Sequence, residues 1–217
     1  MHTSKLTRAT LKTAKILSAI FSPLLIPTYC MATAMWITPL VNVAESVRFI
    51  TTVVVLGLTA LAPLVALLTM IHSGYVKDLD VSNRKERMRP MLVILTCYLI
   101  ALAYIGWVNA PWWLLMYFFS GCVTTGVVGL ITLKWKISGH AAGLGNMIGM
   151  LTALCIQGLT NIAIVPWIMV AIVIAGIVGT ARVVLHKHTP LQVFAGAVLS
   201  ALITIFIMSI HAPLTVS

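Results

Sequence analysis

Apolar residues run along this chain in long blocks separated by short polar stretches. Seven blocks stand out, at 16–41, 49–71, 91–108, 112–133, 141–157, 162–178 and 191–210. A helix that crosses a bilayer needs roughly 17–25 apolar residues, and most of the blocks reach that length. The blocks at 141–157 and 162–178 are the shortest. An open sheet edge cannot survive in hydrocarbon, where its backbone groups find no water, so the blocks predict helices. The expected fold is all-α: a multi-pass transmembrane bundle of six to seven spanning helices, forming one integral membrane domain over residues 1–217. The first block carries Pro23 and Pro27, which kink or break it. It is far longer than the roughly 7–15 apolar residues of a signal peptide, so it is expected to stay in the membrane.

Composition agrees with the pattern. Sixty per cent of the residues are hydrophobic, 8% are charged, and the mean hydropathy is +1.07. A soluble domain carries roughly 25% charged residues, so lipid is the solvent this chain suits. Trp36, Trp107, Trp112, Trp113 and Trp135 stand near block ends, where indoles anchor at the interface. Trp167 serves equally as filler. Gly145 and Gly149, four apart, would let a neighbouring helix come close. Cys30, Cys97, Cys122 and Cys155 each lie inside an apolar run without a Cys-x-x-Cys pair. They are expected as small packing residues, with no metal and no disulfide implied.

Charge divides the molecule. The net charge is +10, from fourteen Lys and Arg against four acids. Thirteen of the fourteen fall in the N-terminal tail and in the loops after the second, fourth and sixth blocks; Arg48 is the exception. If all seven blocks span, those four regions share one face. Charges in short loops between apolar runs point to anionic headgroups or a substrate phosphate, and away from nucleic acid.

Three basic clusters lie on that face. They are KDLDVSNRKERMRP at 77–90, KWKISGH at 134–140, and ARVVLHKHTPLQ at 181–192. Basic loops alone only obey the positive-inside rule. His140 and His188 add chemistry, because each stands just before an apolar helix, with Ser138 and Arg182 as neighbouring phosphate-type donors. A helix N-terminus attracts anions, and an arginine fork fits phosphate oxygens. Histidine acts as nucleophile or proton donor near neutral pH. His186 is read as an incidental loop residue, His72 as interfacial, and His2 and His211 as tail residues.

The spacing resembles the type 2 phosphatidic acid phosphatase superfamily, which shares its helical core with the vanadium haloperoxidases. Arg89-Pro90 matches the end of that family's first motif. Ser138-Gly139-His140 matches the second, and Arg182 followed six residues on by His188 matches the third. The order agrees, and the resemblance covers about 77–200, the expected catalytic core. Four positions depart from the pattern. Ser82 stands where the first motif has lysine, leaving Lys77, Arg84, Lys85 or Arg87 to supply that charge. Ile137 replaces a proline, Ala181 a serine, and Gln192 the aspartate that orients the nucleophile. Two extra apolar blocks separate the first two motifs, and an inserted helix pair returns the chain to the same face.

The resemblance implies the roles. His188 would attack phosphorus and become a phosphohistidine. His140 would protonate the leaving oxygen and then activate water. Arg89, Ser138, Gly139, Arg182 and Lys85, with helix N–H groups, would hold the phosphate oxygens. No metal and no cofactor is implied. Gln192 would accept a hydrogen bond from His188 through its carbonyl, without the charge that stabilises an imidazolium, and Asp78, Asp80 or Glu86 would substitute if the first loop folds over the site. The expected function is hydrolysis of a lipid phosphate or diphosphate in the bacterial inner membrane, with membrane lipids as partners. The alternatives are a degenerate lipid-phosphate binder and, ranked last because almost no ionisable residue sits mid-membrane, a transporter or channel. The positive-inside rule puts the motif face in the cytoplasm, while the resemblance implies an external site for several relatives.

Overall fold

The computed structural model describes residues 2–81 and 83–210. Ser82 and His211 lie outside the described residues, as do the side chains of residues 2–6 and of Lys85. The described chain is all-helical. Its helices are α1 (His2–Ile20), α2 (Ile26–Ile37), α3 (Glu45–His72), α4 (Met88–Trp107), α5 (Trp112–Thr132), α6 (Gly139–Ile156), α7 (Val165–Val184) and α8 (Pro190–Ser209). Six of them, α3 to α8, are long and apolar enough to cross a membrane. The chain is an integral membrane protein by that measure.

The first apolar block does not form one spanning helix. α1 is polar and basic and ends at Ile20, and the chain then turns through Pro23 before α2 begins. Proline has no N–H to give a preceding turn, but it suits the first turn of a helix, where Pro27 sits. α2 has 12 residues, a length of about 18 Å, too short to cross roughly 30 Å of hydrocarbon. It survives by burial inside the bundle, where Ile26, Cys30, Met31 and Ala34 join the core.

Three contacts set the course of this segment. The Ser18 carbonyl accepts from His140 Nε2 in the first turn of α6. Ile26 lies against Gly143, and the Ile37 carbonyl accepts from the Asn161 N–H beyond the far end of α6. The chain from Ser18 to Ile37 therefore runs the length of α6.

Helix ends follow from local chemistry. α3, α4, α6 and α7 each close with the paired bonds of a Schellman turn, around Gly74, Asn109, Gly158 and His186 at positive φ. Glycine and asparagine adopt that conformation readily. α7 runs six residues beyond the apolar block that predicted it, so Arg182 stands on its last turn and not in a loop.

α6 and α8 make the closest helix pair. A Cβ on Gly149 would sit 2.7 Å from the Ala201 carbonyl, and one on Gly196 would sit 2.7 Å from the Ser138 carbonyl. Lipid offers no hydrophobic drive between helices, so small residues and buried polar bonds hold them together. Asn146 on α6 supplies such a bond. Its Oδ1 accepts from Thr124 of α5 at 3.1 Å and from Thr204 of α8 at 2.9 Å.

Candidate functional site

Alternating the six spans puts the loops 73–87, 133–138 and 185–189 at one end of the bundle. These loops are knitted together. Arg87 donates through Nε to the Val81 carbonyl at 2.9 Å and through Nη1 to the Ile137 carbonyl at 3.1 Å. Arg84 reaches the Lys134 carbonyl. Asp80 of the first loop pairs with Arg182 Nη1 at 2.9 Å and with Lys187 Nζ at 3.3 Å. The three basic clusters thus form one assembly.

The turn at the end of α7 positions the third cluster. The N–H of Lys187 and that of His188 both donate to the Arg182 carbonyl, at 3.0 and 3.4 Å. That folds His188 back beside Arg182. Both side chains are buried, Arg182 to 2% exposure. Thr189 then caps α8, accepting from the Gln192 N–H.

Gln192 closes this capping box, and its orientation is decided by a backbone donor. The Thr189 N–H donates to Gln192 Oε1 at 3.2 Å, so that atom is the carbonyl oxygen. The same oxygen lies 3.2 Å from His188 Nδ1. An oxygen with no proton requires one on its partner, so Nδ1 carries the hydrogen and Nε2 keeps its lone pair. His140 is fixed by the same logic in the other tautomer. Its Nε2 lies 3.0 Å from the Ser18 carbonyl, which can only accept, so Nδ1 is left open.

Ser138 is the N-cap of α6 and fully buried, with its Oγ accepting from the Ala141 N–H at 3.4 Å. Its own N–H donates to the main-chain carbonyl of Gln192 at 3.3 Å, tying the N-terminus of α6 to that of α8. A Cβ on Gly139 would meet no atom within 4 Å, so the first turn of α6 opens on free space.

The field here is positive. Burial pushes the His188 imidazole down to about 4; Arg87, Arg182 and Lys136 add to that fall and the Gln192 hydrogen bond opposes it. Burial would raise the Asp80 carboxyl, but Arg182 and Lys187 outweigh it and hold the group below its ordinary value. Lys136 is lowered by burial and by Arg87, Lys187 and Arg182 together. His140 feels Arg182, Asp80 and His188. An arrangement of crowded cations, a neutral imidazole with a free lone pair and a second imidazole with an open nitrogen can bind an oxyanion and exchange protons with it.

Ser138, Gly139, His140, Arg182, His188 and Gln192 are all in this assembly. Arg89 is not. It is exposed, with its guanidinium 4.5 Å above the Tyr75 ring. Arg87, two residues earlier, turns inward in its place. Lys85 lies on the same loop, and its side chain is outside the described residues. Arg87, Asp80, Lys136 and Lys187 were not singled out together by sequence. Their signal was the charge of the loops, which does not tell inward from outward. Among the described residues no cluster of three or more His, Cys, Asp or Glu could hold a metal ion.

Compared with protein-family models, with curated proteins and with solved structures, the chain matches none.

Proposed function

We propose that the chain is a lipid phosphatase of a bacterial inner membrane, removing phosphate from a lipid phosphate or diphosphate monoester through a phosphohistidine. The observation that carries this reading is His188 itself. It is a neutral imidazole with Nε2 unprotonated, buried beside an arginine and within a cluster of cations. Arginine suits phosphate oxygens, and a neutral imidazole nitrogen is a competent nucleophile.

In the first half-reaction His188 Nε2 forms a bond to phosphorus while the bond from phosphorus to the lipid oxygen breaks. His140 first takes a proton from solvent on its open Nδ1 as the phosphate dianion binds. The electron pair leaves with the lipid oxygen, which takes that proton and leaves His140 neutral. In the second half water attacks phosphorus, its proton passes to His140 Nδ1, and the nitrogen–phosphorus bond breaks back to Nε2. Inorganic phosphate departs, and His140 returns its proton to solvent. Arg182, Lys187 and Arg87 offset the charge on the three equatorial oxygens, with N–H groups at the start of α6. The Gln192 carbonyl fixes the His188 ring but adds no full charge to favour the imidazolium.

One observation favours a second reading, a lipid-phosphate binder without turnover. Asp80 already pairs with Arg182, and no carboxylate is hydrogen-bonded to His188 among the described residues. Release of inorganic phosphate from phosphatidic acid, phosphatidylglycerol phosphate and undecaprenyl diphosphate in mixed micelles separates the two. The phosphatase reading expects release that His188→Ala abolishes. Saturable binding of these lipids with no release means the binder.

A further inference from the structure

Arg182 is the fixed half of the Asp80 pair, and Asp80 is the movable half. The Arg182 side chain is 2% exposed and sits on the last turn of a spanning helix. The Asp80 side chain is 34% exposed and comes from the loop 73–87. A buried guanidinium without an anion is costly, so the position against Arg182 has to be filled at all times. Asp80 fills it with one carboxylate, shared with Lys187. The filling is incomplete, because Arg182 Nε is buried and has no hydrogen-bond partner.

The backbone around the pair is under tension. Val81, directly after Asp80, has φ 44°, and His186, directly before Lys187, has φ 53°. A β-branched residue at positive φ is a strained exception. Val81 is held there while Arg87 grips its carbonyl and Asp80 grips Arg182. Release of Asp80 would relieve that strain, whereas the buried arginine has no freedom to leave.

We propose that Asp80 is a removable stopper in the anion site: its carboxylate stands where a phosphate group binds, and an arriving phosphate displaces it and frees the segment 78–81. The exchange is favourable because a phosphate dianion brings two charges and three oxygens to Arg182, Lys187 and Arg87, where the carboxylate brings one charge and two oxygens. A singly charged ligand gains little over Asp80, so the stopper selects for phosphate monoesters over carboxylates and phosphodiesters. It also keeps the buried cation paired between turnovers. This inference rests on the reading of the assembly as a phosphate site.

The test uses the full-length protein in detergent micelles at alkaline pH, where the probes, inorganic phosphate and vanadate, are both dianions. Asp80→Asn is expected to melt at a lower temperature than wild type without an anion. It should bind either probe roughly tenfold to a hundredfold more tightly, the worth of one or two charge-assisted hydrogen bonds no longer competed for. Asp80→Glu should restore the weaker wild-type affinity. Probe affinity in Asp80→Asn equal to or weaker than in wild type overturns the proposal. If that variant does not fold, hydrogen exchange of the wild type decides. Saturating vanadate should speed exchange at residues 78–81, and exchange that is unchanged or slowed there overturns the proposal. Tighter phosphate binding by Asp80→Asn, with no lipid-phosphate hydrolysis by either protein, keeps the stopper and removes the phosphatase. Hydrolysis by wild type, with phosphate affinity indifferent to Asp80, does the reverse.

Discussion

Gln192 orients His188 with a dipole where a carboxylate would orient it with a charge, and the pH response should show the difference. The imidazole is held at about 4, first by burial and then by Arg87. It is therefore neutral across the neutral range, and on the proposed mechanism kcat/KM should fall only as pH drops through about 4. Gln192→Glu places an anion at Nδ1 and favours the charged ring, so the acid limb should move up toward the ordinary value of 6.5. The more basic nitrogen should also raise the plateau rate. A pH–rate profile of both proteins from 3 to 9 checks this, and an unmoved limb would mean that Gln192 does not hold the ring. Stability follows with a definite sign. The unfolded chain takes up the His188 proton near 6.5 and the folded chain only near 4, so folding weakens as pH falls through that window. Asp80, with its lowered carboxyl, adds a further loss below about 3.8. Thermal melts across pH should show both, and His188→Gln should shrink the first. The residues with a motif spacing, His140, Arg182, His188 and Gln192, were legible in the sequence. The motif put Arg89 at the site, whereas the structure turns Arg87 inward and leaves Arg89 over Tyr75; two arginines two residues apart at a helix start project to different sides, and sequence does not say which side is inward.

At the scale of elements, the turn that ends α7 and the contact of α6 with α8 do most to place the site. His186 occupies the left-handed position of the α7 cap, where a side chain costs about 1 kcal/mol relative to glycine. His186→Gly should therefore stabilise the protein by about that amount and leave turnover unchanged, as thermal melts and an activity assay would show. Gly196→Ala should do the opposite. Its new methyl would press on the Ser138 carbonyl and push apart the N-termini of α6 and α8, which carry His140 and Gln192. Overpacking of this kind costs roughly 1–3 kcal/mol, and displacement of the groups by about 1 Å can lower kcat on the order of a hundredfold. A variant that keeps full activity would show that this contact does not position the site. The six long spans were readable from apolar length alone. The end of α7 was not, because Gly179, Thr180 and Arg182 interrupt the apolar run although they continue the helix. The break after α1 was signalled by Pro23 and Pro27, but the burial of α2 depends on neighbours that only folding brings together.

For the whole molecule, the loops at the two ends differ in charge. Those at 73–87, 133–138 and 185–189 carry the basic clusters, while 109–111 and the turn at Gly158 carry none. The positive-inside rule predicts that the assembly around His188 faces the cytoplasm. Cysteines introduced at Leu79 and at Thr160, in a chain with Cys155→Ser, should be labelled from opposite sides in intact cells, and Thr160 alone should react with an impermeant reagent. Labelling of Leu79 alone would put the site outside and show that the cationic loops serve phosphate, not topology. The proposed chemistry is tested most directly by trapping the protein partway through the proposed reaction. Incubation with a lipid phosphate labelled in its phosphate group, quenched in alkali within milliseconds, should leave label on the protein that survives base and is lost in acid, as a phosphohistidine is. The label should be absent from His188→Gln, and in His140→Gln it should form slowly and, once formed, decay slowly, because both half-reactions lose their proton carrier. Phosphate release with no labelled protein, or label that persists in His188→Gln, would contradict the assignment of His188 as the nucleophile.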